Sequence, residues 1–103
     1  MKSFEVVQRE CQGLDAGALE RWIGAELVAA HGGPGARKFQ EIDVARIRLI
    51  LQLRDEMDVE EHSLPVVLSL LDQLYDLRRR TGRMNQALAE LSPELRAAVL
   101  ARI

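Results

Sequence analysis

The chain has 103 residues, 48% of them hydrophobic and 29% charged, a composition that excludes global disorder and suits one folded domain. Its formal net charge of −2 excludes a chain-wide basic footprint for nucleic acid. Cys11 is the only cysteine, so no internal disulfide can form. With no signal-peptide pattern, and no apolar run near the roughly 18 residues of a membrane span, the expected setting is the cytoplasm.

Nearly every segment carries a helical period. Ser3 is placed to cap a short helix with Phe4, Val7 and Cys11 on one face, ending near Gly13. Asp15 caps a second helix. Leu14 before it and Leu19 four residues in have the spacing of a hydrophobic staple, and Leu19, Trp22 and Ile23 form the inner stripe. Two short helices joined around a glycine are the ingredients of a helix-turn-helix. Residues 27–30 and 36–39 then flank His31-Gly32-Gly33-Pro34-Gly35, which cannot be helical. These two pieces are expected to pair as a small hairpin, the wing of a winged helix-turn-helix.

A third helix is expected from about Glu41 to Met57 or Asp58. Asp43 lies at the positive end of its dipole, and Val44, Ile47, Ile50, Leu51 and Leu53 are on its apolar face. Ser63 is placed to cap a fourth, with Pro65 in the first turn, where a missing N–H does little damage. Val67, Leu70, Leu74, Leu77, Thr81, Met84, Leu88 and Leu91 then alternate steps of three and four, the spacing of a coiled-coil seam. Residues 64–91 form either one helix or two hinged at Gly82. The seam packs either on its own domain or on a second copy, the latter a homodimer through residues 67–91. Ser92-Pro93-Glu94 restarts a last helix over 93–102, with Leu95, Val99 and Leu100 inward. The expected fold is therefore mainly α. Residues 1–62 make a winged helix-turn-helix with a short β-hairpin wing. Residues 63–103 add a long and a short helix to the same domain.

Asp55, Glu56, Asp58, Glu60 and Glu61 fall within seven residues. They lack the turn glycine and alternating ligands of a hard-cation loop, and no partner for acid–base catalysis is identifiable. They read as a solvated helix end or as an anionic patch that steers a basic partner. His31 and His62 have no cysteine near them, and the Gly-Gly-Pro-Gly turn lacks the lysine and hydroxyl of a phosphate loop. No metal, no cofactor and no enzymatic activity is expected. The one basic cluster, Arg78, Arg79, Arg80 and Arg83, more often decorates a helix than grips phosphate.

From Arg37 to Leu53 an arginine, an aromatic two residues later, an acid, Asp43, an aliphatic and Arg46-Ile47 follow in order. Over residues 3–60 the chain resembles the MerR-type winged helix-turn-helix proteins. Leu53-Arg54-Asp55-Glu56, the stretch Val66-Val67-Leu68-Ser69-Leu70-Leu71-Asp72, Leu74 and Leu77-Arg78 resemble the CbpM chaperone-modulator family. Those are small bacterial proteins that inhibit a DnaJ-like co-chaperone. The resemblance implies binding to the J-domain of a DnaJ/CbpA-type co-chaperone. It also implies blocked access to the DnaK-type chaperone and weaker nucleoid association of the co-chaperone. On this reading Asp55, Glu56, Asp58, Glu60 and Glu61 supply charge, and Leu68, Leu71 and Tyr75 supply apolar contact. One departure matters: where MerR DNA-binders resemble one another in an arginine–tyrosine pair, this chain has Glu20 and Arg21, followed by Trp22. A carboxylate facing DNA phosphate is repulsive, which counts against groove entry. The competing expectation is a MerR-like DNA-binding regulator with Arg21, Arg37 and Lys38 on phosphates.

Overall fold

The computed structural model describes residues 1–102 as a mainly helical chain with one small antiparallel sheet. It forms two compact units, the first Met1–Val67 and the second from Leu68 onward.

The first unit opens on strand β1 (Lys2–Ser3), which runs directly into α1 (Phe4–Glu10). Ser3 Oγ accepts the Val6 N–H at 3.4 Å, so the expected cap is present. In the turn after α1, Gly13 has φ +86. Helix α2 (Ala16–Gly24) starts at Asp15, whose Oδ1 accepts from the Ala18 N–H at 2.7 Å. Leu14 and Leu19 are both buried, as the staple requires. The helix stops in a Schellman motif: the Leu27 N–H bonds to Trp22 O and the Glu26 N–H to Ile23 O, with Glu26 left-handed at φ +61.

The wing differs from the sequence expectation. Residues 27–30 form no strand. The Leu27 N–H is already spent on the end of α2, and Leu27 O accepts Arg46 Nε at 2.8 Å, so this backbone has little left for a ladder. Only His31 and Lys38 bridge across the glycine-rich turn, through mutual bonds of 2.9 and 2.7 Å. The true sheet partner of β2 (Lys38–Phe39) is β1, with Lys2 opposite Phe39 and Ser3 opposite Lys38.

Helix α3 (Glu41–Leu51) is entered through a reciprocal cap. Gln40 bonds to the N3 backbone, and Asp43 Oδ2 accepts the Gln40 N–H at 2.8 Å. This explains why Asp43, 8% exposed, is the one buried charged residue among those described. The helix widens into a π turn over Gln52–Glu56 before ending at Met57. Val7, Leu19, Trp22, Phe39, Val44, Ile47, Ile50 and Leu64 are at most 1% exposed and make the core of this unit. Burying side chains of this size contributes about 1.5–3 kcal/mol each relative to leaving them in water.

A 3₁₀ turn (Glu61–Ser63) leads into α4 (Leu64–Ala89), one uninterrupted helix of 26 residues. Gly82 is therefore a helical position and no hinge; a Cβ there would meet nothing within 4 Å. In the second unit α4 turns into α5 (Pro93–Leu100), capped by Ser92 Oγ on the Leu95 N–H. The corner is held by Arg96, whose Nε donates to Leu88 O at 3.0 Å and Nη2 to Ala89 O at 3.1 Å. The expectation that Leu95, Val99 and Leu100 point inward is overturned: they are 57%, 40% and 52% exposed. Their helix is fastened through a polar corner, and among the described residues these three side chains stay open to solvent. No helix among the described residues is long and apolar enough to cross a membrane.

Candidate functional site: the acidic loop and its arginine anchors

The acidic segment leaves α3 through its π turn. The side chain of Arg54 bends back over the ring of Trp22, 5.5 Å from its centroid. There Arg54 Nε donates to Asp55 Oδ1 at 2.7 Å, and Nη2 donates to Gly13 O at 3.1 Å. Six residues on, Glu61 is fixed at the other end: Oε1 accepts Arg21 Nε at 2.9 Å and Trp22 Nε1 at 3.2 Å, and Oε2 accepts Arg21 Nη2 at 3.3 Å. Trp22 is 1% exposed, so the lone tryptophan sits beneath both anchors. Between them the chain reverses at Asp58, left-handed at φ +54, and the Val59 N–H reaches back to Leu53 O at 2.9 Å.

The five expected carboxylates therefore divide. Asp55 and Glu61 are anchors, and the guanidinium beside each holds its carboxyl below the ordinary value. Glu56, Asp58 and Glu60 are exposed, and Glu60 lies 3.2 Å from His62 Nδ1. Asp55 and Glu56 also rim an open cleft of about 630 Å³ with Glu10, Cys11 and Arg48. Among the described residues no group of three or more His, Cys, Asp or Glu is arranged to hold a metal ion.

The apolar candidates divide too. Leu68 is 1% exposed, which corrects its expected place on a contact surface: it lies one turn after Leu64 on the same covered face of α4. Leu71 is half-buried. Tyr75 is 65% exposed, with Arg79 6.0 Å from its ring centroid. Of the three cations expected to meet DNA phosphates, two are engaged. Arg21 is held by Glu61, and Arg37 donates to both Glu20 oxygens at 3.2 and 3.0 Å and to Gly32 O at 2.8 Å. Lys38 is exposed.

No protein-family model, curated protein or solved structure matches this chain.

Sequence reading missed the two anchors. The available signal was the single tryptophan beside Arg21, since a buried indole N–H needs an acceptor and Glu61 supplies it. A third ion-pair web lies at the N-terminus, where Lys2 Nζ meets Glu10 at 2.8 Å and Glu41 at 2.9 Å. These pairs set a pH dependence. Glu10, Asp55 and Glu61 all have lowered carboxyl pKa values, caused first by hydrogen bonds from Lys2, Arg54 and Arg21 respectively. A carboxyl lowered on folding stabilises above its unfolded value, about 4 for Asp and Glu, and that contribution fades as pH falls through the folded value. The melting temperature should hold from neutral pH to about pH 5 and fall below it. Glu61→Gln should lower the neutral-pH value and flatten the acid limb. An acid limb as steep as the parent's in thermal scans would remove Glu61 from this role.

Proposed function

We propose that this chain is a chaperone modulator. It binds the J-domain of a DnaJ/CbpA-type co-chaperone and so denies that domain to its DnaK-type chaperone, on a scaffold of the MerR winged helix-turn-helix kind. One observation carries the reading. The cations that a DNA-binder of this kind would aim at phosphate, Arg21 and Arg37, are held by Glu61 and Glu20 of the same chain. The loop between the two anchors instead presents Glu56, Asp58 and Glu60 to solvent. Freeing the arginines for DNA would break both pairs and leave carboxylates facing the duplex. An outward anionic loop on a fixed base suits a basic protein surface, because complementary charge speeds encounter and sets orientation. On α4, half-buried Leu71 and exposed Tyr75 are retained as proposed apolar contacts for the J-domain.

The triple exchange Glu56→Gln, Asp58→Asn, Glu60→Gln leaves both anchors intact. It should slow association with an isolated J-domain by about 10-fold or more at low salt and flatten the salt dependence of the on-rate. Stopped-flow mixing across a salt series reads both, and an unchanged on-rate rejects charge steering. The competing reading, a DNA-binding regulator, requires a duplex mobility shift at low salt that grows when Glu20 and Glu61 are exchanged for glutamine.

A further inference from the structure

A second cleft, of about 430 Å³, lies within the first unit and shares no lining residue with the cleft beside the acidic loop. Three segments wall it, and each is held in place. The start of α1 follows β1 without a linker, and the pairing of β1 with β2 brings the chain from Pro34 to Lys38 to its side. Ala16, Leu19 and Glu20 of α2, spaced three and four apart, form the third wall. Arg37 ties the turn to α2 through Glu20, at 3.2 and 3.0 Å, and to Gly32 O at 2.8 Å. The volume falls in the range of small-ligand sites, about 300–1,000 Å³.

The lining sorts by chemistry. Leu19, 1% exposed, and half-buried Phe4 give it an apolar floor. Its charged side chains are Glu5, Glu20, Arg37 and Lys38, which sum to zero. Arg37 and Glu20 satisfy each other. Lys38 and Glu5 are left over: among the described residues, neither side chain makes a hydrogen bond or an ion pair. Two opposite charges thus line one cleft without meeting. Lys38 also has a neighbour that can donate. It stands directly across the sheet from Ser3, which puts both side chains on one face. Ser3 Oγ accepts the Val6 N–H, so its own hydroxyl proton is left to give.

We infer that this cleft binds a free α-amino acid with a large apolar side chain. Lys38 Nζ and the Ser3 hydroxyl take the carboxylate, Glu5 takes the ammonium, and the side chain lies on Leu19 and Phe4. A zwitterion answers both unpaired charges, whereas a ligand of one charge leaves the other without a partner. A simple anion would also meet the carboxylates of Glu5 and Glu20. A wholly apolar ligand would strip water from Lys38 and Glu5 with nothing in return. The site stands apart from the acidic loop and from whatever protein that loop binds.

Titration of the full, isotope-labelled chain with L-phenylalanine and with L-leucine, followed by nuclear magnetic resonance, tests it. The amide signals of Ser3, Glu5, Ala36 and Lys38 should move and saturate, with a dissociation constant of about 0.1–1 mM for a ligand of so few atoms. Two analogues then read the two charges. Phenylpropionate lacks the amine and phenethylamine lacks the carboxylate, and each should bind at least about 10-fold more weakly than phenylalanine. Lys38→Met should weaken phenylalanine by about 10-fold and leave it no better than phenethylamine. Glu5→Gln should leave it no better than phenylpropionate. Both exchanges alter exposed side chains, so circular dichroism should stay helical. The absence of saturable shifts with either amino acid up to about 10 mM overturns the site, as do shifts confined to residues outside the cleft. Phenylpropionate binding as tightly as phenylalanine would show an anion site instead, and phenethylamine doing so a cation site. Either result overturns the inference.

Discussion

Trp22→Ala is expected to remove about 3–5 kcal/mol of stability, the cost of emptying a large, fully buried aromatic site. The residue is 1% exposed, so most of this loss is packing. The rest comes from its two polar tasks. Its ring lies under Arg54, and its indole N–H holds Glu61 at 3.2 Å. Against a total stability of about 5–15 kcal/mol for a domain of this kind, that is a large share, and the unfolding midpoint should fall sharply. Trp22→Phe separates the contributions. It keeps most of the apolar volume, gives up the N–H donor, and should cost about 1–2 kcal/mol more than volume alone requires. Urea unfolding followed by far-ultraviolet circular dichroism reads both variants. A Trp22→Ala midpoint close to the parent's would mean that the residue does not organise the acidic loop. On the proposed function, Trp22→Phe should also slow J-domain association, because Glu61 loses one of its two holds.

Gly32→Ala is the second large expected effect, and it comes from backbone rather than core. Gly32 has φ +84, and a Cβ there would lie 2.4 Å from Ala36 O, a backbone atom that cannot swing aside. Left-handed backbone costs a non-glycine residue about 1–2 kcal/mol, and relieving the contact must open the turn that lets Arg37 reach Gly32 O and Glu20. We expect a loss of about 2–4 kcal/mol in all. The neighbouring glycines make the comparison strict. Gly35, at φ +81 with open space around it, should lose only the backbone part on exchange for alanine. Gly33, with neither restraint, should be neutral or slightly stabilised by the smaller entropy of its unfolded chain. The order Gly32, Gly35, Gly33 is the test, and equal losses at all three would mean that the turn is not held in this form.

Helix positions were legible because they rest on local signals. Ser3, Asp15 and Ser92 all cap as their spacing suggests, and the apolar face of α3 is buried as its period requires. The sheet was not legible, because its pairing joins Lys2–Ser3 to Lys38–Phe39 across 35 residues, and no local pattern in two-residue strands encodes that choice. Leu68 was misplaced for a related reason. Both sides of α4 are rich in leucine, so periodicity marks two faces without saying which one the fold covers. The acidic run was visible as composition, yet its division into anchors and exposed carboxylates depended on Arg21, Trp22 and Arg54, which are remote from it in sequence or spent locally.

The π turn at Gln52–Glu56 holds one residue more than an ordinary turn. Met57 closes it through its N–H on Gln52 O, five residues back, where an ordinary helix would reach four. Five residues at the wide pitch cover about the same rotation as four at the usual one, so losing one there lets the segment rewind with its later side chains near their present bearing. The same loss inside α3 would turn every later side chain by about 100°. A deletion at exposed Gln52 or Glu56 should therefore be the milder of the two.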